Sequence, residues 1–170
     1  MLSDRLLSEL NEQIRHEFYS ANYYLAMAGY CLNKGLDGFA NFFIVQADEE
    51  RFHAMKFYNY INDIGGRLFI SGYDDPKNDF TSLEDVFESA LHHEQFVTKR
   101  INTLAQLADE EKHYPTISLL KWFIDEQVEE EATMSTILSK IRLVGNSGPG
   151  LLMMDQELSA RVFTPPATTE

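Results

Sequence analysis

Six polar side chains stand at positions where the spacing of the sequence predicts a buried helical core. Each has apolar residues one or two helical turns away on its own segment; the six are Glu17, Glu50, His53, Glu94, Gln127 and Glu130. Burying a charged group is costly unless the group is paired or binds a metal ion. Four carboxylates in one place also repel one another unless a cation neutralises them or some are protonated. The pattern therefore predicts a buried site for cations, and the alternative is a hydrogen-bond network without metal.

The same residues reveal a two-fold internal repeat. Adding 77 to a position in the first half of the chain gives its counterpart in the second half, as from 17 to 94. The counterparts are Glu17 and Glu94, Glu50 and Gln127, His53 and Glu130, and Glu49 and Glu126. Because each half is a pair of helices joined by a short turn, this offset places the six residues in one central layer.

The layer has one glutamate on each of the first and third helices, and a pair spaced i, i+3 on each of the second and fourth. Side chains at i and i+3 lie on one helical face. This is the layout of two-metal carboxylate sites in helical bundles. Two divalent cations would balance the four carboxylates, and oxygen ligands with a single imidazole favour iron or manganese. Zinc is also able to bind such a site.

Glycine and proline occur at few places, and the segments between them show helical periodicity. Four long helices are predicted, at about 3–34, 38–64, 83–111 and 115–144, with a short fifth helix at about 151–160. Asp37 is the predicted N-cap of the second helix, and Ser82 begins a capping-box-like start of the third. These elements predict one domain over residues 1–162, followed by a flexible tail at 163–170.

The lengths of the connections predict the topology. Short turns join helices one and two, and helices three and four, so each pair is antiparallel. The connection from Gly65 to Thr81 can run the whole length of the bundle, at about 3.3 Å per residue when extended. Helices two and three would then be parallel. The predicted fold class is all-α: a four-helix bundle with one long crossover and a short fifth C-terminal helix.

The composition excludes several classes of function. The chain has 170 residues and a formal net charge of −13, and such an acidic protein repels nucleic acids and anionic membranes while attracting cations. Cys31 is the single cysteine, which leaves no disulfide framework and no cysteine-rich metal cluster. No apolar run is long enough to span a bilayer, and the N-terminus lacks the features of a signal peptide. A cytoplasmic protein is expected, with no nucleic-acid or membrane partner.

The segments that carry the six residues resemble those of the bacterial non-haem ferritins. The resemblance extends from Leu6 to about Phe163, and its main motifs are the runs 15–21, 49–54 and 125–131 together with Glu94. It implies the ferritin-like form of the four-helix bundle. It also implies that the chain oxidises ferrous iron and stores the product.

By this resemblance each chain carries a di-iron centre within one subunit. Glu17 and His53 would hold the first iron, and Glu50 would bridge the two. Glu94 and Glu130 would hold the second iron. O2 or H2O2 would take electrons from the ferrous ions, so the expected enzyme activity is that of a ferroxidase.

The resemblance also implies accessory residues around the pair. Tyr24 corresponds to a tyrosine beside the irons, and Gln127 sits within reach of bound oxygen. A third iron site would be formed by Glu49, Glu126 and Glu129, with Glu130 shared. The plainer alternatives are that Tyr24 is a core aromatic bonded to a carboxylate and that the edge glutamates are solvated.

Assembly and cofactors are the last expectations. Haem is not expected, because Arg51 stands where bacterioferritins carry the methionine that binds it. The resemblance implies a hollow homo-oligomeric shell of twenty-four chains around a ferric mineral. The fifth helix would pack at a subunit junction, since its segment carries the apolar residues Leu151, Leu152, Leu158 and Val162. A second class of function stays open, namely a small oligomer that sequesters metal without forming mineral.

Overall fold

Five α-helices make up the protein over residues 2–166, which are the residues that the computed structural model describes. They are α1 (Asp4–Asn33), α2 (Asp37–Asp63), α3 (Leu83–Glu110), α4 (Tyr114–Val144) and α5 (Gly148–Ser159). Within this range there is no strand, and no helix is both long and apolar enough to cross a membrane. The predicted all-α bundle with a short fifth helix is confirmed. The end of the predicted tail, beyond residue 166, lies outside the described residues.

Two helix starts differ from the sequence prediction. α5 begins at Gly148 instead of about Leu151, because Ser147 caps it and a proline in the first turn is compatible with the helix. The predicted Asp37 cap is wrong. Asp37 is the first residue of α2, and no side chain caps that helix from the preceding residue. By contrast Ser82 does cap α3, its hydroxyl accepting from the backbone N–H three residues ahead.

The cap of α2 comes from α5, far along the chain. One carboxylate oxygen of Asp155 accepts hydrogen bonds from the backbone N–H groups of Gly38, at 2.8 Å, and Phe39, at 3.0 Å. A carboxylate at a helix N-terminus satisfies free N–H groups and complements the helix dipole. This contact fixes α5 against the start of α2, the helix that carries Glu50 and His53.

The long connection between α2 and α3, residues 64–82, lies along α1. Near the start of α1, the Asn11 side chain accepts a hydrogen bond from the Phe69 N–H at 2.7 Å. Near the end of α1, the ring of Tyr30 packs against Phe80 with centroids 5.7 Å apart. The connection therefore crosses from one end of the bundle to the other, and α2 and α3 run in the same direction, as predicted.

The interior of the bundle consists of two apolar clusters with a polar layer between them. One cluster is built around Met27, Phe43 and Phe87, and the other around Leu10 and Phe123. The buried polar residues between the two are Gln13, Glu17, Ser20, Gln46, Glu50, His53, His93, Glu94, Gln127 and Glu130. All six residues singled out in the sequence are thus buried at one level.

The apolar residues of the C-terminal segment divide between two environments. Leu151 and Leu158 pack against the cluster around Phe43, on the chain's own bundle. Leu152 and Val162 remain 64% and 77% exposed. The predicted exposed apolar face is therefore made by only part of the expected set.

Replacing Gly38 by alanine should displace α5. A Cβ atom at Gly38 would lie 1.6 Å from the backbone carbonyl oxygen of Asp155, so one of the two backbones has to move. Overpacking of this kind costs about 1–3 kcal/mol. Thermal unfolding followed by circular dichroism should show a clear fall in Tm for the Gly38→Ala protein.

Gly29 provides the matched control for this substitution. It lies inside α1, and nothing lies within 4 Å of the position that an alanine methyl group would take there. Helix propensity then favours alanine by up to about 1 kcal/mol. Equal Tm values for the Gly38→Ala and Gly29→Ala proteins would show that the contact with α5 is not a tight one.

Candidate metal centre

The first group of possible ligands joins α1 to α2. Glu17, Glu50 and His53 are all buried, and each offers a ligand atom within 4.8 Å of the other two. Glu50 and His53 are one turn apart on α2, with His53 Nδ1 3.3 Å from Glu50 Oε2. Glu17 Oε2 is buried and has no hydrogen-bond partner among the described residues. A buried carboxylate oxygen without a donor is costly, and a cation would satisfy it.

A second group adjoins the first through His53. His53, Glu126 and Glu130 also have ligand atoms within 4.8 Å of one another. Glu130 is buried, whereas Glu126 is only partly so. Glu130 therefore stands next to Glu126, a residue assigned by resemblance to the third site, and the two groups of possible ligands share His53.

Glu94 lies in the same layer but outside both groups. The Tyr24 hydroxyl donates to Glu94 Oε1, and the Gln127 amide donates to Glu94 Oε2 at 3.0 Å. Both carboxylate oxygens of Glu94 thus already have donors. The predicted hydrogen bond from Tyr24 to a carboxylate of the layer is present, and Gln127 lies beside the same group.

Two glutamines complete the layer, and the sequence analysis missed them. Gln13 Nε2 donates to Glu17 Oε1 at 2.9 Å, and Gln46 Nε2 donates to Glu130 Oε2 at 2.8 Å. Both are fully buried. A signal was available, because Gln13 lies four residues before Glu17 and Gln46 lies four before Glu50, a spacing that brings side chains together on a helix.

Burial makes these carboxyl groups hold protons more strongly than usual. Desolvation, followed by the negative charge of Glu94 and Glu17, raises the pKa of Glu50 well above its ordinary value. Desolvation also raises the pKa of Glu94 to about 7, against the lowering effect of the hydrogen bonds from Tyr24 and Gln127. It raises the pKa of Glu130 to about 8. A cation entering the layer would therefore replace protons.

The four residues of the expected third site are only partly gathered, although Glu49 lines the same cavity as His53 and Glu126. Glu126 and Glu130 are together, as described above. Glu49 instead forms an ion pair with Arg161, whose Nη2 is 2.8 Å from Glu49 Oε2. Glu129 is exposed on the surface of α4. The role of Arg161 could not be predicted from the sequence, because its spacing does not connect it to Glu49.

Similarity to known proteins extends over nearly the whole chain. The model of the ferritin-like domain matches residues 7–144. The bacterial non-heme ferritin of Staphylococcus aureus (strain USA300) is 47% identical over 163 residues, which cover 96% of this chain and 98% of that protein. The bacterial non-heme ferritin of Staphylococcus saprophyticus has the same identity and coverage.

Solved structures agree with this result. A closed form of the Archaeoglobus fulgidus ferritin, engineered by site-directed mutagenesis, superposes with a TM-score of 0.95 at 42% identity, covering 96% of this chain and 100% of that one. A humanized archaeal ferritin gives a TM-score of 0.96 at 43% identity, covering 97% and 100%. With a buried carboxylate and histidine layer, a matching domain and relatives of nearly equal length, the chain belongs to the ferritin family.

Proposed function

We propose that this protein takes up ferrous iron, oxidises it with O2 or H2O2 at an intrasubunit di-iron site, and stores ferric oxyhydroxide inside a hollow shell. Membership of the ferritin family supports iron storage. The single observation that carries the ferroxidase activity is the buried layer in which Glu17, Glu50 and His53 converge. This layer contains more acidic groups than its hydrogen-bond donors can satisfy, and a pair of dications would supply the missing charge.

In this proposal the ferrous ions are substrate, and the chain supplies their ligands. Glu17 and His53 bind the first ion, because their ligand atoms already converge with those of Glu50. Glu50 is the residue proposed to bridge the two ions. Glu94 and Glu130 bind the second ion, and metals bridged in this way lie about 3.5–4 Å apart.

The second position has to give up hydrogen bonds before an ion can use it. Glu94 accepts from Tyr24 and Gln127, so it must turn away from at least one donor to bind metal. The Gln127 amide also donates to the Glu94 backbone carbonyl and to Thr98 Oγ1, both at 3.3 Å, so it stays beside the second position, in reach of bound oxygen. Glu126 and Glu130 lead from this position to the partly exposed edge, which is where the third site would lie.

The assembly proposed for this chain is a homo-oligomeric shell of twenty-four copies in the cytoplasm. The exposed apolar side chains of the C-terminal segment, Leu152, Met153 and Val162, support burial at a contact between subunits. They are 64%, 73% and 77% exposed on the single chain. No haem enters the proposal.

The proposal is tested by adding ferrous iron and air to the apo-protein. The parent should oxidise iron rapidly, and electron microscopy should show hollow shells with dense cores. The double variant Glu17→Ala with Glu94→Ala should oxidise iron at least about 10–100-fold more slowly, since each ion loses a ligand and the loss of a residue that merely supports a ligand already costs that much. Absorbance of the ferric product gives the rate.

A surface pair controls for the loss of charge. Glu12→Ala with Glu88→Ala removes two glutamates from the same helices, where both side chains are partly exposed and paired with arginines. Those surface pairs contribute little to stability. Equal rates for the buried and surface double variants would reject the ferroxidase site, and metal-loaded small oligomers without mineral would reject storage.

The raised carboxyl pKa values predict how stability depends on pH. Between the ordinary and the raised pKa, the folded apo-protein holds more protons than the unfolded chain, so its stability falls as pH rises. The fall should extend from the ordinary carboxyl pKa of 4.5 up to the raised pKa values of Glu94 and Glu130, about 7 and about 8. The Tm of the apo-protein should therefore be lower at about pH 8.5 than at about pH 6.

Two comparisons isolate the buried carboxyl groups from the rest of the acidic surface. Saturating Zn2+ should reduce the decline and release protons, which a pH indicator can measure. Glu130→Gln should also reduce the decline, because it removes one titrating group while keeping the side chain's size. If neither zinc nor Glu130→Gln changes the decline in Tm, the decline arises from surface charge and not from the buried carboxyl groups.

Tyr24→Phe tests whether the tyrosine lends an electron to oxygen. Two ferrous ions supply only half of the electrons that reduce O2 to water. The Tyr24 hydroxyl donates to Glu94, a proposed ligand of the second ion, so Tyr24 is close enough to the ions to supply a further electron. The variant should bind metal normally but show a slower late phase of oxidation or a different iron-to-oxygen ratio. Tyr23→Phe is the control, since Tyr23 is buried on the same helix and stacks on Phe80. Identical traces, with no tyrosyl radical in the parent, would leave Tyr24 as a packing residue.

A further inference from the structure

Arg161 lies just beyond α5 and is held against α2 at the edge of the metal centre. The side-chain amide of Asn41 donates to the Arg161 carbonyl at 3.0 Å and to the Leu158 carbonyl at 3.1 Å. The Arg161 guanidinium lies over the ring of Phe42, 4.4 Å from its centroid. The first two contacts hold the main chain at Arg161 and the third holds its side chain, so together they fix the position of the guanidinium.

The guanidinium contacts two residues of α2 that face the layer. Its Nη2 donates to Glu49 Oε2 at 2.8 Å and to the amide oxygen of Gln46. Because the Gln46 oxygen is occupied by Arg161, its NH2 group points the other way and donates to Glu130 Oε2 at 2.8 Å. Arg161 therefore reaches Glu130 through a single amide, and it sets the direction of that amide.

The Arg161 guanidinium already pairs with a carboxylate that the third metal ion would need as a ligand. Glu49 is an expected ligand of that site, and its carboxylate is paired with Arg161. The guanidinium also adds positive charge beside Glu49, one amide away from Glu130, which opposes the approach of a dication. Since Glu49 is partly buried, with a side chain only 19% exposed, solvent screens this effect incompletely.

The pairing of Arg161 is nevertheless incomplete. Within the described part of the chain, Arg161 Nη1 is buried without a hydrogen-bond partner. An unsatisfied buried donor raises the free energy of the paired state, so displacing the guanidinium costs less than it would for a fully bonded one. Arg161 is thus suited to be replaced by metal instead of excluding it permanently.

We propose that Arg161 is a positioning residue that occupies the cation position beside Glu49 and limits metal binding at the third site. A third ion binds only when it displaces the guanidinium from Glu49, and the same displacement frees Gln46 from its fixed orientation toward Glu130. The proposal rests on the proposed function of the third site formed by Glu49, Glu126, Glu129 and Glu130.

Zinc titration of the assembled apo-protein tests this directly, because Zn2+ binds without redox chemistry. Equilibrium dialysis gives the number of ions per chain and the affinity of the weakest. Arg161→Gln should bind the third ion about tenfold more tightly than the parent, since it removes one neighbouring positive charge. Arg161→Lys should fall between them, because an ammonium keeps the charge but lacks the planar fork that holds Glu49 and Gln46 together.

Phe163→Ala tests whether the charge of Arg161 matters, or only the anchoring of the segment that follows α5. Phe163 packs on Phe52, with ring centroids 5.7 Å apart, and its removal loosens the same segment while keeping the guanidinium. Its third-ion affinity should match that of the parent. An affinity gain as large as that of Arg161→Gln would overturn the proposal, because loosening alone would then explain both.

Three further outcomes bear on this proposal and on the one on which it rests. A third ion bound equally by the parent and Arg161→Gln overturns the role of Arg161 and leaves the site intact. No third ion in either protein, with Glu126→Gln also unchanged, overturns both the site and the role. Tighter binding in Arg161→Gln, with a changed iron-to-oxygen ratio during iron oxidation, supports both.

Discussion

Removing four carboxylates from water at the centre of a helical bundle is the constraint around which this protein is built. Glu17, Glu50, Glu94 and Glu130 are each 6% exposed or less, so water cannot stabilise their charge. Apolar clusters on either side hold the helices in place and keep the layer dry. Protons, a few amide and hydroxyl donors, or metal ions are what remains to balance the charge. The folded structure therefore favours cation binding before any ligand geometry is considered.

α2 is the element on which most of this arrangement converges. It carries Gln46, Glu50 and His53 on the inner face, and Glu49 toward the edge. Its first turn is capped by Asp155 from α5. The segment that follows α5 then returns to the edge of the same helix. The C-terminal part of the chain consequently supports the candidate metal centre and is also a candidate surface for assembly.

Local patterns in the sequence predicted the helices and the polar layer correctly. Contacts between residues far apart in the sequence could not be predicted in this way. Helical periodicity and the internal repeat were sufficient to place Glu17 and Glu94 at one level, because helix geometry converts spacing into height. The cap of α2 could not be found locally, since it comes from Asp155, 117 positions from Gly38. Arg161 and Glu49 are 112 positions apart and share no periodicity. Gln13 and Gln46 had a helical spacing that indicated them, but glutamine is common on helices, so the pattern alone did not distinguish them.

The internal repeat is exact in position but unequal in hydrogen bonding, and this has a consequence for the order of events. Glu17 keeps one oxygen without a donor, whereas its counterpart Glu94 has donors on both. On the proposed function, one half of the centre is therefore preorganised, while the other must exchange hydrogen bonds for metal. Occupation by two ions would then be sequential. Oxygen would meet a complete pair of reductants only after Tyr24 or Gln127 has released Glu94, so the bonds that stabilise the empty centre would also limit one-electron chemistry at a half-filled one.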